Sequence, residues 1–268
     1  MTFGGIGKGK ARLCVLLALA LFPVAGSFAQ PPTPQPPDKD ATAKATLVRG
    51  AQAYAAANYK TALDAFHQAA AMGVVEAMMY LGVMYGTGQG VPVDLDTSRA
   101  WFSHAADAGN SQAMCNMALF YFQGRGVKQS YAEALSWFVK ASTYGNGEAM
   151  FNIGVMYRDG VGMAQNYAEA VRWFKKGAAV GDSVSANAMG VMYQEGHGVP
   201  VNYAEAMSWY RRAADAGYAT ALYNIGVLWE DGLGVARDKQ QAIDWYRKAA
   251  AAGNHSAQEA LKSLGVRD

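Results

Sequence analysis

Apolar positions recur at i, i+3, i+4 and i+7 along most of this chain, as Met78, Leu81, Gly82, Tyr85, as Met150, Ile153, Gly154, Tyr157 and as Leu222, Ile225, Gly226, Trp229. That spacing is the buried stripe of an amphipathic helix. A second stripe follows each first one: Ala134, Trp137, Phe138, Ala141, then Ala170, Trp173, Phe174, Gly177, then Ala206, Trp209, Tyr210, Ala213. Each unit is therefore predicted to be a pair of helices. Polar residues punctuate the pairs. Asn58, Asp94, Ser130, Asn166, Asn202 and Asp238 stand where the second helix begins, and each side chain can accept a bond from a free backbone N–H. Three residues on, Glu133, Glu169, Glu205 and Gln241 complete a capping box or a close relative of one. The second helix is predicted to stop at the column Gly73, Gly109, Gly145, Gly181, Gly217 and Gly253, where a left-handed backbone costs glycine little.

All of these positions fall on one ruler of 36 residues, shared by Trp101, Trp137, Trp173, Trp209 and Trp245 and by a Gly-x-Gly pair from Gly88/Gly90 to Gly232/Gly234. A fixed period of this length means stacked supersecondary units rather than one globular core. Small residues at Gly82, Ala118, Gly154, Gly190 and Gly226 let neighbouring helices approach, and the Trp and Tyr columns fill the space beside them. No unit can bury its stripe alone, so each needs the next. The fold class expected is all-α: a right-handed superhelical solenoid of stacked helix-turn-helix repeats, with the large aromatic columns as core.

The ends differ from the array. Lys8, Lys10 and Arg12 precede an apolar run from Leu13 to Ala25 and then Ser27-Phe28-Ala29. Residues 1–29 are expected to be a secretory signal cleaved after Ala29, the alternative being an N-terminal membrane anchor. Residues 30–40, with five prolines, read as a stiff linker. The chain carries 23 basic and 21 acidic residues, and three of the basic ones lie in the leader. The processed chain is near neutral, which argues against nucleic acid and other polyanions, and no membrane contact is expected once the leader is gone. Of two cysteines only Cys115 lies beyond the leader, so it is expected as a lone thiol filling a helix position, with stability resting on packing.

The runs Ala-Met-Phe-Asn-Ile-Gly-Val-Met-Tyr at 149–157, Gly-Val-Gly at 160–162, Asn-Tyr-Ala-Glu-Ala at 166–170 and Trp-Phe-Lys-Lys-Gly-Ala at 173–178 resemble the Sel1-like repeats, a branch of the tetratricopeptide solenoids. Five such repeats are expected over residues 74–253. Residues 41–73, with Gly50, Tyr59, Ala62, Phe66 and Ala69, resemble an ordinary tetratricopeptide unit, and residues 254–268 are expected to form a C-terminal capping helix with Ser256 and Glu259 as its capping box. The resemblance implies a non-catalytic scaffold or regulator in the bacterial cell envelope, periplasmic or secreted, holding a protein or peptide on the concave side. One secreted branch with paired cysteines in each repeat has been linked with penicillin binding; this chain lacks the pairs.

The resemblance also places the first helix of each pair on the inner curve. Its stripe is committed to packing, which leaves Tyr80, Val83, Asn116, Leu119, Phe151, Asn152, Val155, Arg158, Asn187, Tyr223 and Asn224 as the candidate binding face. Asn116, Asn152 and Asn224 share one column, and in related peptide-binding proteins an asparagine at the matching place bonds the ligand backbone, an amide being both donor and acceptor. The alternative is that these amides bond across neighbouring helices and keep the stack in register. Arg158, Gln194 and Glu230, one turn on, are either a selectivity row or a solvated rim. A glycan such as peptidoglycan is the second ligand class that aromatic faces and amides suit.

Catalysis needs a nucleophile, base and stabiliser within reach of one another, or a metal with its ligands. The four histidines fall on different ruler positions, and His197 beside Glu195 is the nearest approach to a constellation. That pair falls short of a zinc site. The loop glycines follow a helix rather than a strand and lack the rest of the fingerprint, which weakens the phosphate-cradle reading. No catalytic residue, metal or cofactor is expected, and a cell-wall or β-lactam hydrolase is the remote alternative.

Overall fold

A computed structural model describes residues 39–266, so the leader and nearly all of the proline-rich linker lie outside the described residues. Thirteen helices and no strand occur among them. They divide into two compact units, the boundary falling between Trp137 and Phe138.

The N-terminal unit contains α1 (Lys39–Ala55), α2 (Tyr59–Ala71), α3 (Val75–Thr87), α4 (Leu95–Asp107), α5 (Ser111–Gln123) and the first half of α6 (Tyr131–Thr143). The turn joining α1 to α2 is short, and Ala57 takes a left-handed φ of 56° there, where the later hairpins use glycine. Phe66 of α2 stacks on Tyr80 of α3 with ring centroids 4.3 Å apart, which joins the first hairpin to the second. The C-terminal unit runs through α7 (Gly147–Asp159), α8 (Tyr167–Ala179), α9 (Ser183–Glu195), α10 (Tyr203–Asp215), α11 (Ala219–Asp231), α12 (Lys239–Ala251) and α13 (His255–Ser263). Within it each helix packs on the next in chain order.

The predicted caps are made. Asp94 accepts from the Thr97 amide at 2.9 Å, Asn166 from Glu169 at 3.1 Å and Asn202 from Glu205 at 3.1 Å. The Thr97 amide holds the Asp94 carboxyl below the usual carboxylate range. The returning arm of the capping box is spent elsewhere at Glu169, whose carboxylate takes Arg172 at 2.7 Å. First helices carry caps of their own that the sequence reading missed, Asn110, Asn146 and Asp182. The last helix starts on Asn254 rather than on the expected Ser256, and Glu259 pairs with Lys262 at 2.8 Å.

The core differs from expectation in one column. Trp101, Trp137, Trp173, Trp209 and Trp245 are only half-buried, whereas the residue that follows each of them, Phe102, Phe138, Phe174, Tyr210 or Tyr246, is buried. The cause is the small-residue column. A Cβ on Gly154 would lie 2.5 Å from Cε1 of Phe174, and one on Gly226 would lie 2.5 Å from Cε1 of Tyr246. Where that column is glycine, the second helix therefore seats one ring against the backbone of its own first helix. The tryptophan is displaced to the edge, where a basic side chain one turn on covers it: Lys176 over Trp173 at 4.0 Å and Lys248 over Trp245 at 4.1 Å. Cys115, expected to fill a helix position, is fully buried in α5.

Candidate functional site

The first helices do not present the expected face in the expected way. Of the eleven candidate residues, Tyr80, Val83, Asn116, Leu119, Phe151, Asn152, Val155, Asn187 and Asn224 are buried, at 2% to 8% exposure, and only Arg158 and Tyr223 remain partly open. The physical reason is visible in the C-terminal unit, where consecutive first helices pack on one another as well as on their second helices. Residues expected to look outward are wedged into that seam.

Inside the seam the amides split into two kinds. Asn224 of α11 donates through Nδ2 to Oδ1 of Asn187 in α9 at 2.9 Å, so this pair ties one repeat to the next and performs the register role. Asn152 in α7 has neither Nδ2 nor Oδ1 bonded, and Asn116 in α5 leaves Nδ2 unbonded. The ruler accounts for Asn116: the residue 37 positions before Asn224 is Asn187, but before Asn116, within the N-terminal unit, it is Met79, which cannot answer an amide as asparagine does. Asn187→Ala strands a buried donor and is expected to cost about 1–3 kcal/mol. Asn152→Leu removes two unmet polar atoms and is expected to leave stability unchanged or higher. Chemical denaturation of the two variants checks the contrast, and equal losses would contradict it.

The last turn of each first helix in the C-terminal unit stays partly accessible. Arg158, Gln194 and Glu230 occupy one ruler position there, all partly exposed, and each is pinned by a different bond. Arg158 forks onto Asp159 at 2.7 and 2.9 Å. Gln194 accepts from the Tyr210 hydroxyl at 2.8 Å, and Glu230 accepts from the Tyr246 hydroxyl at 2.6 Å. Burial, reinforced by the neighbouring carboxylates, pushes both tyrosine hydroxyls far up, so they stay protonated donors. The pairing is readable within the chain itself. Where the seated ring is tyrosine, the ruler offers an acceptor at Gln194 or Glu230; where it is Phe102, Phe138 or Phe174, the same position holds Gly86, Phe122 or Arg158. Tyr223 lies near this row, its hydroxyl raised by burial and then by Glu230 and Asp231. Half-buried Val191 and Val227 stand one turn before Gln194 and Glu230.

His197 and Glu195 do meet, Nδ1 to Oε2 at 3.1 Å, and the imidazole stacks on Tyr167 with centroids 4.5 Å apart. This contact ties the Gly-x-Gly loop of one repeat to the second helix of the repeat before it. No group of three or more potential metal ligands occurs among the described residues, and no described helix is long and apolar enough to cross a membrane.

The Sel1 repeat family matches residues 75–110, 111–146, 147–182, 183–218 and 219–254. No curated protein matches the chain. Among solved structures, a Sel1 repeat protein from Oxalobacter formigenes is 32% identical over 82% of this chain and 90% of its own, with a TM-score of 0.75. The protective antigen c5321, present in uropathogenic Escherichia coli strains, is 33% identical over 84% of this chain, with a TM-score of 0.69; the alignment takes in 49% of that protein, about half its length. The immunity protein Pa5087 from Pseudomonas aeruginosa shares the fold at 18% identity, over 83% of this chain and 85% of its own, with a TM-score of 0.54. Five consecutive matched repeats and the helix pairs that carry them make this chain a member of the Sel1 repeat family.

Proposed function

We propose that the protein is a non-catalytic interaction scaffold that holds an extended segment of a protein partner along the last turns of its first helices, in the cell envelope after export. The observation that carries this reading is the pinned row Arg158, Gln194 and Glu230. Long polar side chains normally lose rotamer freedom on binding; here Asp159, Tyr210 and Tyr246 have already fixed them, so the cost of ordering the contact is reduced beforehand. Val191, Val227 and Tyr223 beside the row supply apolar shelves for side chains of the segment.

The test is selection of peptides from a random display library on the full chain, followed by Gln194→Ala and Tyr210→Phe. Gln194→Ala removes the contact, and Tyr210→Phe leaves the glutamine in place but frees it. Both are expected to weaken selected peptides by about three- to tenfold, as loss of one directed hydrogen bond does. Peptides that bind both variants as they bind the wild type would contradict the assignment. Export is tested separately, by N-terminal sequencing of the chain recovered from the periplasm or medium: processing after Ala29 gives a mature chain that begins at Gln30.

A further inference from the structure

The near-zero charge of the processed chain conceals a separation of charge inside the C-terminal unit. Its first helices α7, α9 and α11 hold five carboxylates and one guanidinium, a net −4. Its second helices α8, α10 and α12 hold eight basic and four acidic residues, a net +4. The basic excess is in register. Lys175-Lys176, Arg211-Arg212 and Arg247-Lys248 occupy the same two ruler positions, and all six side chains are exposed. The second member of each pair is engaged with its tryptophan, and Arg212 also donates to the Ala178 carbonyl at the end of α8, latching two repeats together. The first members project from the surface; of these, Arg247 shares Asp244 at a loose 3.7 Å. At the matching places the N-terminal unit has His67-Gln68 and Ser103-His104, with no permanent cation.

We infer that the outer face of α8, α10 and α12 is a second docking surface, distinct from the first-helix row, and that it fits an acidic polypeptide segment. Charge complementarity argues for an anionic partner, and the arrangement of the rings selects among anions. Nucleic acid and glycans bind through stacking platforms, but a cation already lies over each of Trp173, Trp209 and Trp245, so the face offers charge without an open ring. Arginine and lysine in paired rungs match carboxylates on a flexible chain, with Arg211 and Arg247 able to fork onto them. The acidic first helices repel the same segment and direct it to this side.

The experiment titrates the full chain with poly-L-glutamate, oligothymidylate and phosphatidylglycerol vesicles at about 150 mM salt, and repeats the series with the triple variant Lys175→Ser, Arg211→Ser, Arg247→Ser. These three residues make none of the Trp contacts, so the variant keeps its melting temperature. Poly-L-glutamate is expected to bind most tightly of the three, to weaken as salt rises, and to lose about tenfold or more in the variant. Absence of poly-L-glutamate binding, equal binding by the variant, or tighter binding of oligothymidylate or vesicles would each overturn the inference. Peptides selected on the first-helix row bind the triple variant as before, so failure here leaves the row untouched.

Discussion

Phe174→Ala is expected to destabilise the C-terminal unit by about 3–5 kcal/mol, the range for a large side chain truncated in a packed core. Trp173→Ala, one residue away and the larger truncation by volume, is expected to cost only about 1–2 kcal/mol, because part of that ring is already in water and a surface cation lies over it. The order is what matters. Phe174 is 0% exposed and seated on Gly154, also approaches Phe151 at 5.7 Å between centroids, and therefore joins both helices of its own hairpin. Denaturation midpoints of the two variants decide it: a larger loss for Trp173→Ala would move the core back to the tryptophan column.

Gly154→Ala is expected to destabilise by about 1–3 kcal/mol through overpacking. On an exposed helix the same change gains up to about 1 kcal/mol, so its sign reports whether a ring lies against the backbone. The new methyl group would sit 2.5 Å from Phe174 Cε1, and Gly190 faces Tyr210 in the same manner. Adding Phe174→Leu to Gly154→Ala shrinks the obstructing group and is expected to recover part of the loss. Additive losses in the double variant would show that glycine and ring do not meet.

The helices, their order and the second-helix caps were legible in the sequence because each depends on local chemistry: a stripe period, a capping side chain, a glycine that turns the chain. Which of two adjacent aromatics is buried was not. Trp173 and Phe174 both belong to the stripe, and only the depth of the groove over Gly154 decides between them. The caps at Asn110, Asn146 and Asp182 were within reach, since each follows the Gly column directly and precedes a first helix by one residue.

The binding face was harder to read for the same reason. A column such as Asn116, Asn152 and Asn224 looks uniform on the ruler, but its chemistry depends on what the previous repeat places 37 residues earlier, Met79 before Asn116 and Asn187 before Asn224. The row Arg158, Gln194 and Glu230 was visible in the sequence as either a selectivity row or a rim. What the structure adds is the bond beneath each member, and the one clue available beforehand was the change from Phe174 to Tyr210 and Tyr246 in step with Gln194 and Glu230. Charge segregation was hidden by summing over the whole chain, where the two helix sets cancel.

Hydrogen–deuterium exchange of the full chain, with and without a peptide selected on it, tests the central claim most directly. The account predicts added protection at the last turns of α7, α9 and α11, around Arg158, Gln194 and Glu230, with α8, α10 and α12 unchanged. Protection confined to the second helices, or absent from both sets while the peptide is bound, would contradict it.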